Sequence, residues 1–120
     1  MDIYTIQIGK WRKAEALGYE LLNTSVMNGE LRLAPTWELV RKWKSGLITE
    51  ADYTTEYLQL MRKSFMANQS FWLSLAEKEV LVLGCYCPGG AFCHRRILAD
   101  ILVKLFTSRG LTVSYRGEIE

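Results

Sequence analysis

The sequence predicts an α/β domain over residues 1–120, a three-layer Rossmann-like architecture in which a small, mostly parallel sheet is flanked by helices. Two observations carry that prediction. Val80-Leu81-Val82-Leu83-Gly84-Cys85-Tyr86 is an unbroken apolar run of strand length, and a strand buried on both faces belongs in a parallel sheet covered by helices. From Cys93 to Ser108 the residues Ile97, Leu98, Ile101, Leu102, Leu105 and Phe106 repeat with helical period, Gly110 ends the helix, and Leu111–Tyr115 reads as a last strand. Strand, helix and strand in so short a stretch form a right-handed crossover unit, which makes the third and fourth strands parallel neighbours.

The other elements follow in chain order. Ile3-Tyr4-Thr5-Ile6-Gln7-Ile8 is rich in β-branched and aromatic residues and stops at Gly9, a short buried strand. Ala14–Leu17 forms a helical turn before Gly18, and Tyr19–Val26 a second strand that ends in polar residues, with Asn28-Gly29 as a turn. Pro35 keeps Ala34 out of helical geometry and leaves Thr36 as an N-cap. A short amphipathic helix then carries Trp37, Val40 and Trp43 on one side, with Arg41, Lys42 and Lys44 in solvent, and ends at Ser45-Gly46. Thr49 caps a second helix through Asp52, and Glu50 and Asp52 suit the positive end of its dipole. Tyr53, Tyr57, Leu60, Met61 and Met66 form its stripe, and Phe71, Trp72, Leu73 and Leu75 a shorter third helix. The three tryptophans Trp37, Trp43 and Trp72 read as packing, and Tyr53 and Tyr57 as core.

Composition narrows the function classes. With 49% apolar and 23% charged residues, two Pro and nine Gly, the chain has the make-up of an ordinary globular domain that needs no disulfide or metal to fold. No apolar run reaches the ~18 residues of a membrane span. The start, Met1-Asp2-Ile3-Tyr4, has no basic segment leading an apolar one, and three Cys cannot all pair, so a reducing cytosolic setting is expected. A net charge of +2 is modest, but residues 80–117 hold Arg95, Arg96, Lys104, Arg109 and Arg116 against Asp100 alone, which favours an anionic partner.

The chemistry concentrates in Cys85-Tyr86-Cys87-Pro88-Gly89-Gly90-Ala91-Phe92-Cys93-His94-Arg95-Arg96, which holds every Cys and the only His. In open α/β sheets ligands bind beyond the carboxyl ends of strands, where loops meet the free N–H groups of a helix. Gly89 and Gly90 let backbone approach a bound group, and a Cys at a helix start beside Arg has its thiolate favoured. His94 shares a face with Leu98 and points inward, Arg95 lies at the margin of the stripe, and Arg96 stands four residues before Asp100.

Four readings compete here. The leading one is a small-ligand pocket in which Cys93 and His94 act on, and Arg95 holds, an anionic group. Cys85, Cys87, Cys93 and His94 are also soft metal ligands, yet zinc sites usually space Cys by two residues or more, and adjacent Cys-His is hard to aim at one ion. A phosphatase or sulfurtransferase loop needs Arg six positions after its thiolate; six after Cys87 stands Cys93, so that spacing fails. In the fourth the Cys are small core residues and a backbone carbonyl satisfies His94. Beside them, Lys10, Trp11 and Arg12 follow the first strand on the same sheet edge, where a basic, aromatic loop reads either as a surface that stacks a base and neutralises phosphate or as a plain solvated loop.

Leu83-Gly84-Cys85-Tyr86-Cys87 followed by Phe92-Cys93-His94-Arg95 resembles the domain of unknown function family four-eight-eight, including its short phage and bacterial members. Ile3-Tyr4-Thr5-Ile6 and Ala34-Pro35-Thr36-Trp37 extend the likeness over nearly the whole chain. The resemblance implies an α/β fold and a pocket around Cys93, His94 and Arg95, and supplies no reaction. Family members often carry an Asp, followed shortly by Arg, at the end of the second strand; here Asn23-Thr24-Ser25 stands there, which puts any acid/base role of that Asp in doubt.

The expectation is therefore a pocket for a small anionic, nucleotide-like or phosphorylated ligand. Cys93 and His94 are its catalytic candidates, and Arg95, Cys87, Gly89, Gly90, Lys10, Trp11, Arg12, Asn23, Thr24 and Ser25 its binding residues. No cofactor, metal ligand or membrane contact is assigned. Glycosidic-bond or phosphate chemistry on nucleotides would suit such a pocket. The alternatives are an interaction protein that takes a host protein or nucleic acid on its basic face, and a zinc-binding module.

Overall fold

A computed structural model describes residues 1–120. Four strands, β1 (Asp2–Gln7), β2 (Leu21–Asn23), β3 (Val80–Cys85) and β4 (Ser114–Ile119), form one sheet in the order β2-β3-β1-β4, with every pairing parallel. Five helices flank it: α1 (Trp11–Ala16), α2 (Trp37–Lys44), α3 (Glu50–Ala67), α4 (Gln69–Ser74) and α5 (His94–Ser108). This is the three-layer, Rossmann-like α/β arrangement expected from the apolar run and the helical stripe. No helix is long and apolar enough to cross a membrane.

Period-two alternation gives each strand two duties. Ile6 and Val82 face Ala14 of α1 in a small core flanked by Tyr4, Tyr19 and Leu21. On the other face Ile3, Leu81 and Leu83 pack with Leu98, Ala99, Leu102 and Phe106 of α5 and with Tyr53, Tyr57 and Met61 of α3. The register sets Ile3 beside Leu81, Thr5 beside Leu83 and Gln7 beside Cys85, so Cys85 ends β3 on the side of α5.

The third and fourth strands are not neighbours as expected: β1 lies between them. β1 buries residues on both faces and so takes a central place, whereas Ser-Tyr-Arg-Gly-Glu-Ile carries polar side chains that suit only an edge. β4 also begins later than Leu111. The chain leaves α5 through Gly110 at φ +86°, with Leu111 N–H returning to Phe106 O at 3.1 Å, and reaches the sheet only at Ser114. β2 is shorter than Tyr19–Val26, because Tyr19 stacks on Tyr4 at 5.3 Å and the residues after Asn23 turn into a hydrogen-bonded loop.

The local helix signals are obeyed. The Thr36 hydroxyl accepts Leu39 N–H at 3.1 Å, and Thr49 and Asp52 bond reciprocally, side chain to backbone, at 3.1 Å each. Leu39 is the one fully buried residue of α2; Trp43 is half-buried against the core, and Trp37 is exposed.

Candidate metal centre and its cavity

Parallel pairing brings the carboxyl end of β3 against the start of α5. Gly84 makes the tight junction: a methyl group there would stand 3.0 Å from Ile8 Cγ1 and 3.3 Å from Ile6 Cγ2. Its carbonyl accepts both Thr24 N–H at 2.8 Å and Thr24 Oγ1–H at 2.9 Å, which fixes the loop after β2 beside β3.

Three soft donors meet at this junction. Cys85 Sγ and Cys93 Sγ lie 2.6 Å apart, Cys93 Sγ and His94 Nδ1 3.6 Å apart, and all three atoms fall within 4.8 Å of one another. All three residues are buried. The adjacency of Cys93 and His94 does not defeat convergence, because Cys93 is the N-cap of α5 with extended backbone (φ −156°, ψ 151°) while His94 is its first helical residue. The two side chains therefore leave a bend and not a regular helix. The cluster is able to ligate a metal ion such as zinc.

The tautomer of His94 follows from its partners. Nε2 lies 2.9 Å from Thr24 O and 3.0 Å from Thr24 Oγ1, whose own hydrogen is given to Gly84 O. Nε2 faces two acceptors and so carries the proton, which leaves the Nδ1 lone pair toward Cys93 Sγ. Burial lowers the imidazole pKa and keeps the ring neutral.

Arg95, expected at the margin of the helical stripe, is 1% exposed. Its Nη1 donates to Cys85 Sγ at 2.8 Å and Cys87 O at 3.0 Å, and Nη2 to Pro88 O at 3.3 Å and Glu118 Oε2 at 2.8 Å. Nε donates to Glu118 Oε1 at 3.2 Å. All five N–H groups of the guanidinium are thus engaged within the protein, and in this arrangement none is left for an external anion. Arg95 ties the loop after β3 to β4.

Cys87 is half-buried and sits where the loop opens. Hydrogen bonds from Cys85 and Cys93, with the charges of Arg95 and Lys44 behind them, bring its thiol down to about 3. The same bonding among the three thiols, together with burial, pushes Cys93 well above the ordinary thiol range.

The cluster forms part of the lining of a cavity of about 220 Å³. Ser25, Val26 and Met27 line it from the loop after β2, Trp37, Val40, Trp43 and Lys44 from α2, Tyr53 from α3, and Tyr86, Cys87 and Phe92 from the loop after β3. Trp43 and Phe92 rings pack at 5.0 Å, Tyr53 and Phe92 edge-on at 5.4 Å. Of the residues read from the sequence, Cys87, Cys93, His94 and Ser25 face this space. Asn23 and Thr24 stand behind it as supports, Asn23 Oδ1 accepting Ser25 N–H at 2.9 Å.

Gly89, Gly90, Lys10, Trp11 and Arg12 do not line the cavity. Trp11 and Arg12 are exposed, with the guanidinium 5.2 Å from the indole. A side chain at Gly89 would meet Glu118 Oε2 at 3.6 Å and Lys10 Nζ at 4.0 Å, so this glycine faces the Arg95–Glu118 pair. Gly90 turns the loop at φ +82°. Sequence reasoning missed the aromatic walls and Glu118. The walls had a signal, the Trp37, Val40, Trp43 stripe; of the three tryptophans expected to pack, Trp72 is buried at 1% exposure and Trp43 packs against the core, whereas Trp37 stays exposed. Glu118 had none, because its approach to Arg95 depends on the sheet order.

A family model described as DUF488-N3a, the active DUF488-N3 subclade, matches residues 26–105. That stretch runs through α2 to α5 and contains the whole Cys-Cys-His cluster, but neither Thr24 nor Glu118. No curated protein and no solved structure matches the chain.

Proposed function

The chain belongs to the DUF488-N3 family, and from that premise we propose that it is a metal-binding α/β protein in which Cys85, Cys93 and His94 hold one zinc-class ion at the floor of a small-ligand cavity. The observation that carries the reading is the hydrogen bonding of His94. Its Nε2–H is committed to Thr24 while its Nδ1 lone pair faces Cys93, the orientation that a ligating imidazole needs. Arg95 supplies the matching outer bond to Cys85, where a guanidinium offsets the charge of a metal-bound thiolate.

The fit is close. Tetrahedral zinc with Zn–S of about 2.3 Å and Zn–N of about 2.0 Å sets S···N near 3.5 Å and S···S near 3.8 Å. Cys93 and His94 already stand at 3.6 Å; the two sulfurs have to part by about 1 Å, a small side-chain rotation. Three protein ligands would be the count of a site that leaves room for a further ligand, and the three residues line the cavity. A zinc-class ion in such a place supplies a Lewis acid that polarises a ligand oxygen or lowers the pKa of a bound water. The protein's part is to exclude bulk water, orient His94 and hold the ligand; the matched subclade is described as active, in keeping with an open position.

A second reading is favoured by Cys87 and Lys44: a metal-free pocket for a small anionic, nucleotide-like ligand, with Cys93 and His94 against the recognised atom. Elemental analysis decides between them. Protein purified under reductant without chelator is expected to hold about one zinc per chain, and cobalt substitution to give a thiolate charge-transfer band. Less than about 0.1 equivalent after reconstitution would leave only the metal-free reading.

A further inference from the structure

We infer that the cavity takes a planar, fused-ring ligand carrying one anionic group, the ring stacked against Trp37 and Tyr86 and the anionic group beside Lys44. The inference rests on the reading of this cavity as a ligand site, and it names the class of ligand; it does not depend on whether a metal forms the floor.

The first argument is the orientation of α2. Trp37, Val40, Trp43 and Lys44 fall at i, i+3, i+6 and i+7, one stripe of the helix, and all four line the cavity. An amphipathic helix normally turns such a stripe onto the core. Here Trp37 remains 46% exposed, as does Tyr86 in the same lining. Apolar surface gathered around a concavity and left open to water marks a binding groove.

The walls are fixed before anything binds. Tyr86 Oη lies 3.0 Å from Asn28 Nδ2 and 3.1 Å from Asn28 Oδ1, and Asn28 is itself held by Asn23 Nδ2 at 2.9 Å and Ser25 Oγ at 3.1 Å. A ring anchored through its hydroxyl offers a face that need not be ordered on binding.

Charge and size select the occupant. No carboxylate lines the cavity, and Lys44 is its one Lys or Arg; the lining group that opposes it is the Cys87 thiol, which the Lys44 charge helps to lower. Lys42 is neutralised by Glu56 at 2.8 Å, whereas Lys44 makes no ion pair. An aromatic enclosure that would otherwise recruit a cation is thereby set against one. At about 220 Å³ the space is smaller than the ~300–1,000 Å³ of sites for drug-sized ligands, which suits one ring system inside and its charged group at the mouth.

Calorimetric titration tests this with three probes: adenosine 5′-monophosphate (ring and phosphate), naphthalene-2-carboxylate (ring and carboxylate) and ribose 5-phosphate (phosphate without ring). Both ring-bearing anions are expected to bind saturably, at least about 10-fold more tightly than ribose 5-phosphate, given what stacking on an aromatic side chain contributes. Trp37→Ala should weaken both by about 10-fold, while Trp37→Phe retains most of the affinity, and Lys44→Gln should weaken both and flatten their salt dependence. Both side chains are exposed, so neither variant threatens folding. Equal binding of ribose 5-phosphate, no saturable binding of either ring, or affinities unmoved by Trp37→Ala and Lys44→Gln would each overturn the inference. Metal content is measured on the same samples: rings that bind protein without zinc sink the metal reading alone, and zinc-loaded protein that binds no ring sinks this inference alone.

Discussion

Arg95→Met is the perturbation whose consequences can be worked out most fully from the structure. The guanidinium is 1% exposed and its carboxylate partner 14% exposed, and the pair is bidentate, with Nη2–Oε2 at 2.8 Å and Nε–Oε1 at 3.2 Å. Removing one member leaves Glu118 charged in a poorly hydrated place, a loss of about 3–5 kcal/mol for buried pairs. The carbonyls of Cys87 and Pro88 lose their donor as well. For a chain of this length such a change lowers Tm by about 10 °C or more. Arg116 provides the control, since its pair with Asp2 has a similar heavy-atom distance of 2.9 Å but side chains 54% and 38% exposed, and Arg116→Met should cost no more than about 1 kcal/mol. Urea denaturation of Arg95→Met, Glu118→Leu and the double variant completes a cycle in which the double variant recovers much of the loss, because an apolar pair strands no charge. Arg95→Lys should not rescue, since three ammonium donors cannot replace five fixed ones. If Arg95→Met costs no more than Arg116→Met, or if the cycle shows no coupling, the guanidinium is not the tie between β3, α5 and β4 described above.

Other expectations follow from the same geometry. Cys93→Ser should abolish stoichiometric zinc while Cys87→Ser leaves it near one per chain, as elemental analysis reads; loss in both would mean a closed four-ligand site. Thr24→Val removes one of the two acceptors at His94 Nε2 and should weaken zinc about 10-fold in a competition titration with a chromophoric chelator, with the fold retained by circular dichroism. Burial raises the Tyr53 and Tyr57 pKa values well above the ordinary range, so their contribution to stability is complete below pH ~10 and is lost as pH rises beyond it. Absorbance titration should therefore show at least two of the six tyrosines still protonated past pH ~10 until the protein unfolds, and urea midpoints should fall on the alkaline side. Thr49→Ala should cost about 1 kcal/mol by removing the cap of α3, and a Tm unchanged within error would deny that role.

What the sequence made legible is local chemistry. Thr36 and Thr49 announce their helices because a hydroxyl beside the first free N–H groups acts over three residues, and both bonds are present. The buried strand and the long helical stripe declare themselves because their periods differ, and crowding of Cys and His at their junction marks the site. The aim of those side chains was not legible. That Cys93 and His94 reach one point depends on a break from extended to helical backbone at Cys93, which a residue spacing does not reveal. Arg95 read as free because the carboxylate that binds it, Glu118, lies beyond the basic segment and comes close only through an edge strand whose place was set by β1. The stripe on α2 packs at Trp43 and stays open at Trp37, since periodicity tells which side of a helix is apolar and not how far another element covers it.

The place of β1 between β3 and β4 has a consequence in time. Asp2 to Ile6 of β1 pair with residues 80–84 on one side and 114–119 on the other, so both pairings of this strand join segments far apart in the chain. Loop closure over such separations is slow, and an unpaired apolar strand is exposed to aggregation until it occurs. Because β4 docks only on β1, Arg95 gains Glu118 only when that pairing is made. The lock on the Cys-His loop therefore depends on a long-range pairing, and whatever loosens the β1–β4 edge also loosens that loop.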